Sequence, residues 1–219
     1  MHSSVQKLLH IEKLVKSKEL NSNIRKSPKI IAVSKTFSLD KIMPLIEHGH
    51  CDYGENKVQE ALDKWGQIKL EKPELVLHLI GKLQTNKVKY ALKLFDYIHS
   101  LDSEKLANKI CNVQNELNLR TKLFIQVNIG KEIQKSGISV DEVFDFHTYC
   151  KSLGLDVIGL MCIPPFNEDA SKFFFQMHEL NTKLDLKELS MGMSSDYSKA
   201  IENNATFIRI GSSIFGERS

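Results

Sequence analysis

The stretch Ile30–Phe37 has the sequence IIAVSKTF, a short apolar run that breaks off in Ser-Lys-Thr. A continuous apolar run of this length is typical of a parallel strand that is buried on both faces. Ligands of open parallel sheets and of barrels bind at the carboxyl ends of the strands. Because Lys35 stands at that end, the stretch predicts a strand that delivers a lysine to a binding site. The alternative is a surface lysine, which is the usual environment of this residue type.

A second apolar run lies near the other end of the chain, where Thr206–Gly216 has the sequence TFIRIGSSIFG. Its Gly-Ser-Ser turn, at Gly211 and Ser212, offers backbone amides and hydroxyl groups to a phosphate, although Gly-Ser pairs also form ordinary loops. The run carries Arg209, one of only four arginines in the sequence. An amine nucleophile together with a phosphate cradle suggests a phosphorylated aldehyde that is held as a Schiff base.

Short apolar runs alternate with longer amphipathic ones along the sequence, which predicts one α/β domain over residues 1–219. Eight strands are predicted, and this number favours a closed (β/α)8 TIM barrel, with an open doubly wound sheet as the alternative. The predicted strands lie near residues 29–34, 51–54, 76–80, 95–99, 121–127, 155–160, 187–190 and 206–210.

Helical patterns lie before and between these strands. Residues 1–21 predict an N-terminal helix, from Val5 to Leu20, that leads into the barrel. The later helices are predicted at 39–47, 56–65, 103–117, 141–150 and 169–184, with a shorter connection around 85–92. Ser38 and Ser103 precede two of these segments and are predicted to cap them.

Several separated motifs occur in an order that resembles one known family, and the resemblance covers nearly the whole chain. The motifs are AVSK at 32–35, YGEN at 53–56, HLIGKLQTNK at 78–87, KSG at 135–137, GLM at 159–161, LSMGMS at 189–194 and the run around Arg209. Together they resemble the YggS-type pyridoxal 5'-phosphate (PLP) homeostasis proteins, which are related to the barrel domain of alanine racemase.

The resemblance implies that PLP is the cofactor, held as an aldimine with Lys35. The six residues that it places at the cofactor are Lys35, Asn56, Ser194, Arg209, Gly211 and Ser212. Ser194, Gly211 and Ser212 would hold the phosphate, and Asn56 would lie near the ring. Arg209 would lie near the pyridine nitrogen, and because a guanidinium cannot accept a proton from a pyridinium, the ring nitrogen would stay neutral. A neutral pyridine is a poor electron sink.

The resemblance also bears on catalysis. Racemases and decarboxylases of this fold carry a further β domain that contributes catalytic groups, whereas this sequence ends at Ser219, soon after Arg209. We therefore expect no C-terminal β domain and no catalytic residues, but a carrier or buffer that takes PLP from synthesising enzymes and passes it to PLP-dependent apoenzymes. One alternative is a racemase-like enzyme, with Tyr53, His78 or a residue from a second subunit as the second acid/base. The other is a lysine-rich module that binds nucleic acid or protein.

The composition is that of an ordinary globular chain, with 219 residues of which 42% are hydrophobic and 26% charged. The net charge of +3 does not demand a nucleic-acid partner, and no apolar stretch approaches the length of a membrane span. Four scattered cysteines without a C-x-x-C pair argue against zinc and fit reduced thiols. We expect a cytoplasmic monomer that binds neither a metal, a membrane nor a specific nucleic acid.

Some remaining positions have both a structural and a functional explanation. Asn56 is expected either to cap the next helix or to contact the cofactor. For His78 the alternatives are a core histidine bonded to a neighbouring strand and a catalytic acid or base. The sequence His48-Gly49-His50 predicts the C-terminal turn of a helix rather than a metal site. A solvated surface is expected for Lys82, Lys87 and Lys89, with a second phosphate or an acidic partner as the alternative.

Overall fold

The computed structural model describes residues 1–21 and 27–217, and it forms a closed barrel of eight parallel strands. Consecutive strands are neighbours, and β8 closes the ring against β1. The strands are β1 Lys29–Val33, β2 Asp52–Glu55, β3 Val76–Leu79, β4 Tyr97–Leu101, β5 Lys122–Val127, β6 Val157–Cys162, β7 Glu188–Met193 and β8 Phe207–Ile210. The prediction of a TIM barrel is confirmed, and the alternative prediction of an open doubly wound sheet is wrong.

The largest errors at the start of a predicted strand occur at β4 and β6, which both begin two residues later than expected, at Tyr97 and Val157. At the other end of a strand, β7 ends three residues later than expected, at Met193. At the starts of β4 and β6, the apolar residue that was assigned to the strand still belongs to the preceding helical turn. The backbone N–H of Phe95 donates to the carbonyl oxygen of Ala91. That of Leu155 donates to the carbonyl oxygen of Cys150. These amides are therefore not available to a strand ladder.

Helices surround the barrel. They are α1 Ser3–Asn21, α2 Leu39–Glu47, α3 Val58–Glu71, α4 Val88–Leu94, α5 Glu104–Leu117, α6 Val143–Ser152, α7 Ala170–Lys183, α8 Tyr197–Glu202 and α9 Ser212–Phe215. The last two were not predicted, because six and four residues are too few to show a helical period. The cap at Ser103 is confirmed, since its Oγ accepts from the N–H of Leu106. Ser38 precedes α2 but makes no such bond.

Alternation along the strands divides the apolar side chains into two layers, because successive residues of a strand face opposite sides. On β1, Ile30 and Ala32 pack under the helices, whereas Ile31 lies inside the barrel with Phe207 of β8. Val33 continues the inward series and reaches the carboxyl-terminal mouth, where Lys35 follows it. Lys35 therefore lies in the turn that follows the strand and lines this mouth.

Candidate functional site

A cavity of about 500 Å³ opens at the carboxyl ends of the strands. The six residues singled out from the sequence all line it, namely Lys35, Asn56, Ser194, Arg209, Gly211 and Ser212. Val33, Ile80 and Ile163 contribute apolar wall to the same cavity. The fold therefore brings one lysine, one arginine, one amide side chain and a serine-rich turn together from four separate strand ends.

Lys35 is half-buried, and the backbone on both sides of it is anchored to α3. Nζ of Lys64 donates to the carbonyl oxygen of Ser34 at 2.9 Å. The backbone N–H of Thr36 donates to Oε1 of Glu60 at 2.6 Å. Thr36 has a φ of 68°, a left-handed conformation that few residues other than glycine adopt. Anchors on either side hold this turn, and with it the position of Lys35.

The anchor is centred on Glu55, whose side chain is fully buried. Its Oε1 accepts from Oγ of Ser34 at 2.7 Å, from Nζ of Lys64 at 2.9 Å and from Nε1 of Trp65 at 3.0 Å. Oε2 is buried and has no hydrogen-bond partner among the described residues. A buried carboxylate is tolerated only when it is paired and hydrogen-bonded, so Lys64, which is 8% exposed, supplies the required opposite charge.

The turns that follow β7 and β8 meet at Ser194. Its Oγ accepts from the backbone N–H of Gly211 at 3.3 Å and from that of Ser213 at 3.4 Å. Ser212, which is exposed, adds a second hydroxyl to the same side of the cavity. Backbone N–H groups that converge in this way form a concavity that suits an anion.

Arg209 lies at the inner end of the cavity and is 4% exposed. Its Nη1 donates to Oγ of Ser190 at 2.7 Å, and its Nη2 donates to the carbonyl oxygen of Cys162 at 2.8 Å. Burial lowers the pKa of Arg209. The guanidinium nevertheless stays protonated at neutral pH, because its ordinary pKa lies far above that range. The site thus contains a fixed positive charge held by two neutral acceptors.

Asn56 lies directly after β2 and is half-buried in the cavity wall. The alternative prediction, that Asn56 caps the next helix, is wrong: Lys57 is the N-cap residue of α3, and no side-chain cap bond is made. Gly81, which follows β3, packs directly against Asn56. A Cβ atom at this glycine would lie 2.8 Å from Cα of Asn56, so only glycine permits this approach.

His78 is fully buried and hydrogen-bonded to two neighbouring strands, which confirms the prediction of a core histidine. Its Nε2 is 3.0 Å from Oδ1 of Asp52, and its Nδ1 is 3.0 Å from Nε2 of His99. Tyr53 packs on Trp65 in the outer layer and donates to the carbonyl oxygen of His50. Neither Tyr53 nor His78 is among the described residues that line the cavity.

Four residues that contact the site residues or their anchors were not predicted from the sequence, namely Glu55, Lys64, Ser190 and His99. The spacing of Glu60 and Lys64 on one helix was an available signal, because residues four apart on a helix are neighbours. For His99, the signal was a histidine inside an apolar run, the same feature that singled out His78. Ser190 lay within a quoted motif, but nothing in its surroundings distinguished it.

Other predictions concern the surface and possible metal sites. His48 is the C-cap residue of α2 and Gly49 has a φ of 95°, which confirms the helix C-terminal turn. Within residues 1–21 and 27–217, no group of three or more His, Cys, Asp or Glu side chains is placed to hold a metal ion. No helix in the same part of the chain is both long and apolar enough to cross a membrane. Lys82 and Lys89 are exposed, as expected for a solvated surface, whereas Lys87 is half-buried.

The sequence and the fold are both similar to those of known proteins. Residues 16–219 match the family described as "Alanine racemase, N-terminal domain". The Pyridoxal phosphate homeostasis protein of Aquifex aeolicus (strain VF5) is 38% identical over 218 residues, which cover 95% of each chain. The human protein of the same name is 36% identical over 87% of this chain and 77% of its own length. The structure of PipY from Synechococcus elongatus PCC7942 with PLP bound is 34% identical, with a TM-score of 0.80 over 93% of this chain and 99% of that one. The chain therefore belongs to the alanine racemase N-terminal domain family and, within it, to the pyridoxal phosphate homeostasis proteins.

Proposed function

We propose that this chain binds PLP in the cavity at the carboxyl ends of the strands, with Lys35 as the attachment residue, and that it acts as a carrier or buffer in PLP homeostasis. The observation that carries the proposal is the convergence of all six predicted residues on one cavity. PipY, which is 34% identical and has been solved with PLP bound, supports the choice of ligand.

The residues present fit the functional groups of PLP. PLP has three functional groups: a phosphate, a pyridine ring, and an aldehyde that condenses with a lysine amine. The amine of Lys35 suits the aldehyde, and the amides and hydroxyls around Ser194, Gly211 and Ser212 suit the phosphate. Arg209 would meet the ring nitrogen as a hydrogen-bond donor, and Asn56 would contact the ring. A donor at that position favours an unprotonated ring nitrogen.

The carrier role is favoured over catalysis by the ionisable groups in the cavity. Racemisation requires an acid/base on each face of the substrate. In the part of the chain that the structure describes, the ionisable residues of the lining are Lys35, Arg209 and Glu217. Lys35 is the attachment residue, Arg209 stays protonated and is a poor base, and the carboxylate of Glu217 is exposed to solvent. A neutral pyridine also stabilises a carbanion weakly. The relatives named above carry the name of homeostasis proteins, which agrees with this preference.

The physiological setting is part of the same proposal. We infer that the protein acts as a cytoplasmic monomer, receiving PLP from synthesising enzymes and delivering it to PLP-dependent apoenzymes. Its four cysteines are free, which agrees with a reducing compartment.

Titration of the purified protein with PLP, followed by visible absorption, tests the site. We expect a saturable chromophore in the wild type and its loss in Lys35→Ala. Lys57→Ala is the matched control, because Lys57 is an exposed lysine near the same mouth that does not line the cavity. An unchanged chromophore in Lys35→Ala, or equal losses in both variants, would refute the assignment.

Incubation of the PLP-loaded protein with an L-amino acid in heavy water separates a carrier from an enzyme. A carrier leaves the α-proton of the amino acid in place and transfers PLP to an added apoenzyme, whose activity then reports the delivery. Rapid loss of the α-proton that depends on Lys35 would establish the racemase-like alternative.

A further inference from the structure

A row of five polar side chains crosses the inside of the barrel and ends at Arg209. Oδ1 of Asp52 lies 3.0 Å from Nε2 of His78, whose Nδ1 lies 3.0 Å from Nε2 of His99. Nδ1 of His99 lies 2.9 Å from Oγ of Ser190, and that oxygen lies 2.7 Å from Nη1 of Arg209. We call these five residues the interior chain. It connects the amino-terminal mouth of the barrel, where β2 begins at Asp52, to the candidate cofactor cavity.

The chemistry of the two ends determines the direction of every hydrogen bond between them. An ionised Asp52 can only accept, so Nε2 of His78 must carry a proton. A neutral His78 then accepts at Nδ1, and its partner Nε2 of His99 is a donor. Nδ1 of His99 must accept in turn, so the hydroxyl of Ser190 donates to it. This leaves a lone pair of Ser190 to accept from Arg209, which can only donate.

The surroundings of the interior chain favour this arrangement. Both histidines are fully buried, and His78 stacks on Tyr97 while His99 stacks on Phe124. Burial lowers the pKa of His78. Burial, with the positive charge of Arg209, lowers the pKa of His99 well below its ordinary value, so both rings are neutral near pH 7. Burial raises the pKa of Asp52, but the hydrogen bond from His78 and the nearby positive charges outweigh it and keep the carboxylate ionised.

Other charged groups lie near both ends of the row. The carboxylate of Asp196 acts on Arg209 at one end, and the remaining groups lie at the Asp52 end. Nζ of Lys29 is 3.9 Å from Oδ1 of Asp52, and the ring of His50 bonds to the backbone carbonyl oxygen of the same residue. The carboxylate of Asp96 acts on His78 from the next strand connection. The positive charge at the other end is that of Arg209 itself. The interior chain therefore joins a carboxylate at one mouth to a guanidinium at the other through neutral groups only.

We propose that Asp52, His78, His99 and Ser190 are positioning residues for Arg209. The carboxylate of Asp52, at the amino-terminal mouth, fixes both histidines as Nε2–H tautomers. The hydroxyl of Ser190 must then donate to His99, so that its lone pair faces the guanidinium and holds Arg209 in the cofactor cavity. The effect on the cofactor rests on the proposed binding of PLP, whereas the tautomers and bond directions do not. The proposal gives a role to the buried side chains of His78, His99 and Ser190, which do not line the cavity themselves.

Nitrogen-15 NMR of the histidine rings in the PLP-free protein tests the directions directly. We expect His78 and His99 to be neutral Nε2–H tautomers near pH 7. In Asp52→Ala, the His99 ring signals should move although Asp52 does not contact His99, because the acceptor that orders the row is gone. An Nδ1–H or charged ring at either position, or unmoved His99 signals in the variant, would overturn the proposal.

Ser190→Ala tests the effect on the cofactor, and Ser100→Ala is its matched control. Ser100 is also a fully buried serine of the barrel wall, on β4, but its Oγ has no hydrogen-bond partner among the described residues. Losing a hydrogen bond to a charged group should weaken PLP binding by about tenfold and shift the visible spectrum in Ser190→Ala. Ser100→Ala should leave both unchanged, and equal effects in the two variants would overturn the positioning role.

The two experiments separate this inference from the proposed function. A wild-type protein that fails to bind PLP refutes the proposed function, while the ring signals of the PLP-free protein still decide whether the interior chain exists. If Ser190→Ala does not fold, the Asp52→Ala ring signals decide, because Asp52 lies at the barrel mouth with 18% of its side chain exposed.

Discussion

Replacing Lys64 by methionine should destabilise the protein strongly, because it removes the charge that is paired with Glu55. Methionine keeps most of the apolar stem of the lysine, so the change isolates the ammonium group. Glu55 would remain fully buried with two neutral donors, Ser34 and Trp65, and no opposite charge within hydrogen-bond distance. Breaking a buried ion pair in this way costs about 3–5 kcal/mol, a large part of the typical free energy of unfolding of about 5–15 kcal/mol.

Urea denaturation at pH 7.5 measures this cost. With an m value of about 2–3 kcal/mol per molar urea, the midpoint should fall by about 1–2.5 M. The double variant Glu55→Gln with Lys64→Met should recover much of the loss, since no unpaired charge is then buried. Because Lys64 also holds the carbonyl oxygen of Ser34, PLP binding at Lys35 should weaken in the single variant even below the unfolding transition.

Lys89→Met is the matched control, because Lys89 pairs with Glu116 at 2.6 Å but both side chains are more than half exposed. Exposed pairs contribute little, so this variant should unfold at the wild-type midpoint. A midpoint for Lys64→Met that equals the control would refute the argument that Glu55 is a charge which needs this partner.

Three further predictions follow from the geometry. In Gly81→Ala the added Cβ would displace Asn56, so PLP affinity should fall in a spectral titration while the far-ultraviolet circular dichroism stays unchanged. In Arg209→Ala the cavity loses its buried charge, so PLP should bind about tenfold or more weakly with a shifted absorption maximum. Because burial lowers the pKa of His78 and His99 below 6.5, the unfolded chain binds protons that the folded chain does not. Stability should therefore fall as the pH drops through 6.5, by up to about 1.4 kcal/mol at pH 5.5 for each histidine that stays neutral, as urea midpoints at pH 7.5 and 5.5 would show.

Local pattern predicted the barrel and the face on which the site lies, whereas the resemblance to a known family supplied most of the site residues. Apolar runs such as Ile30–Val33 identify strands because a strand buried on both faces has few alternatives. The carboxyl ends of parallel strands lie on one face, so Lys35, Asn56 and Arg209 were expected to meet before any contact was known. Boundaries were less certain wherever an apolar residue such as Phe95 completes a helix instead of starting a strand.

Pairings that depend on register could not be predicted. His99 and Ser190 are 91 positions apart, and their contact requires that both residues face inward at the same height of the barrel. Likewise, Glu55 meets Lys64 only because α3 folds back on β2, where Lys64 also donates to the carbonyl oxygen of Ser34. A shift of one residue along either strand would send these side chains to the opposite face, and a single sequence does not fix the register that closely.

The most direct test of the central claim is borohydride reduction of the PLP-loaded wild-type protein, followed by peptide mapping of the labelled lysine. We expect the label on the peptide that contains Lys35, in a ratio of about one per chain. A label scattered over exposed lysines such as Lys57 and Lys82, or the absence of a stable label, would contradict the assignment of this cavity as the PLP site.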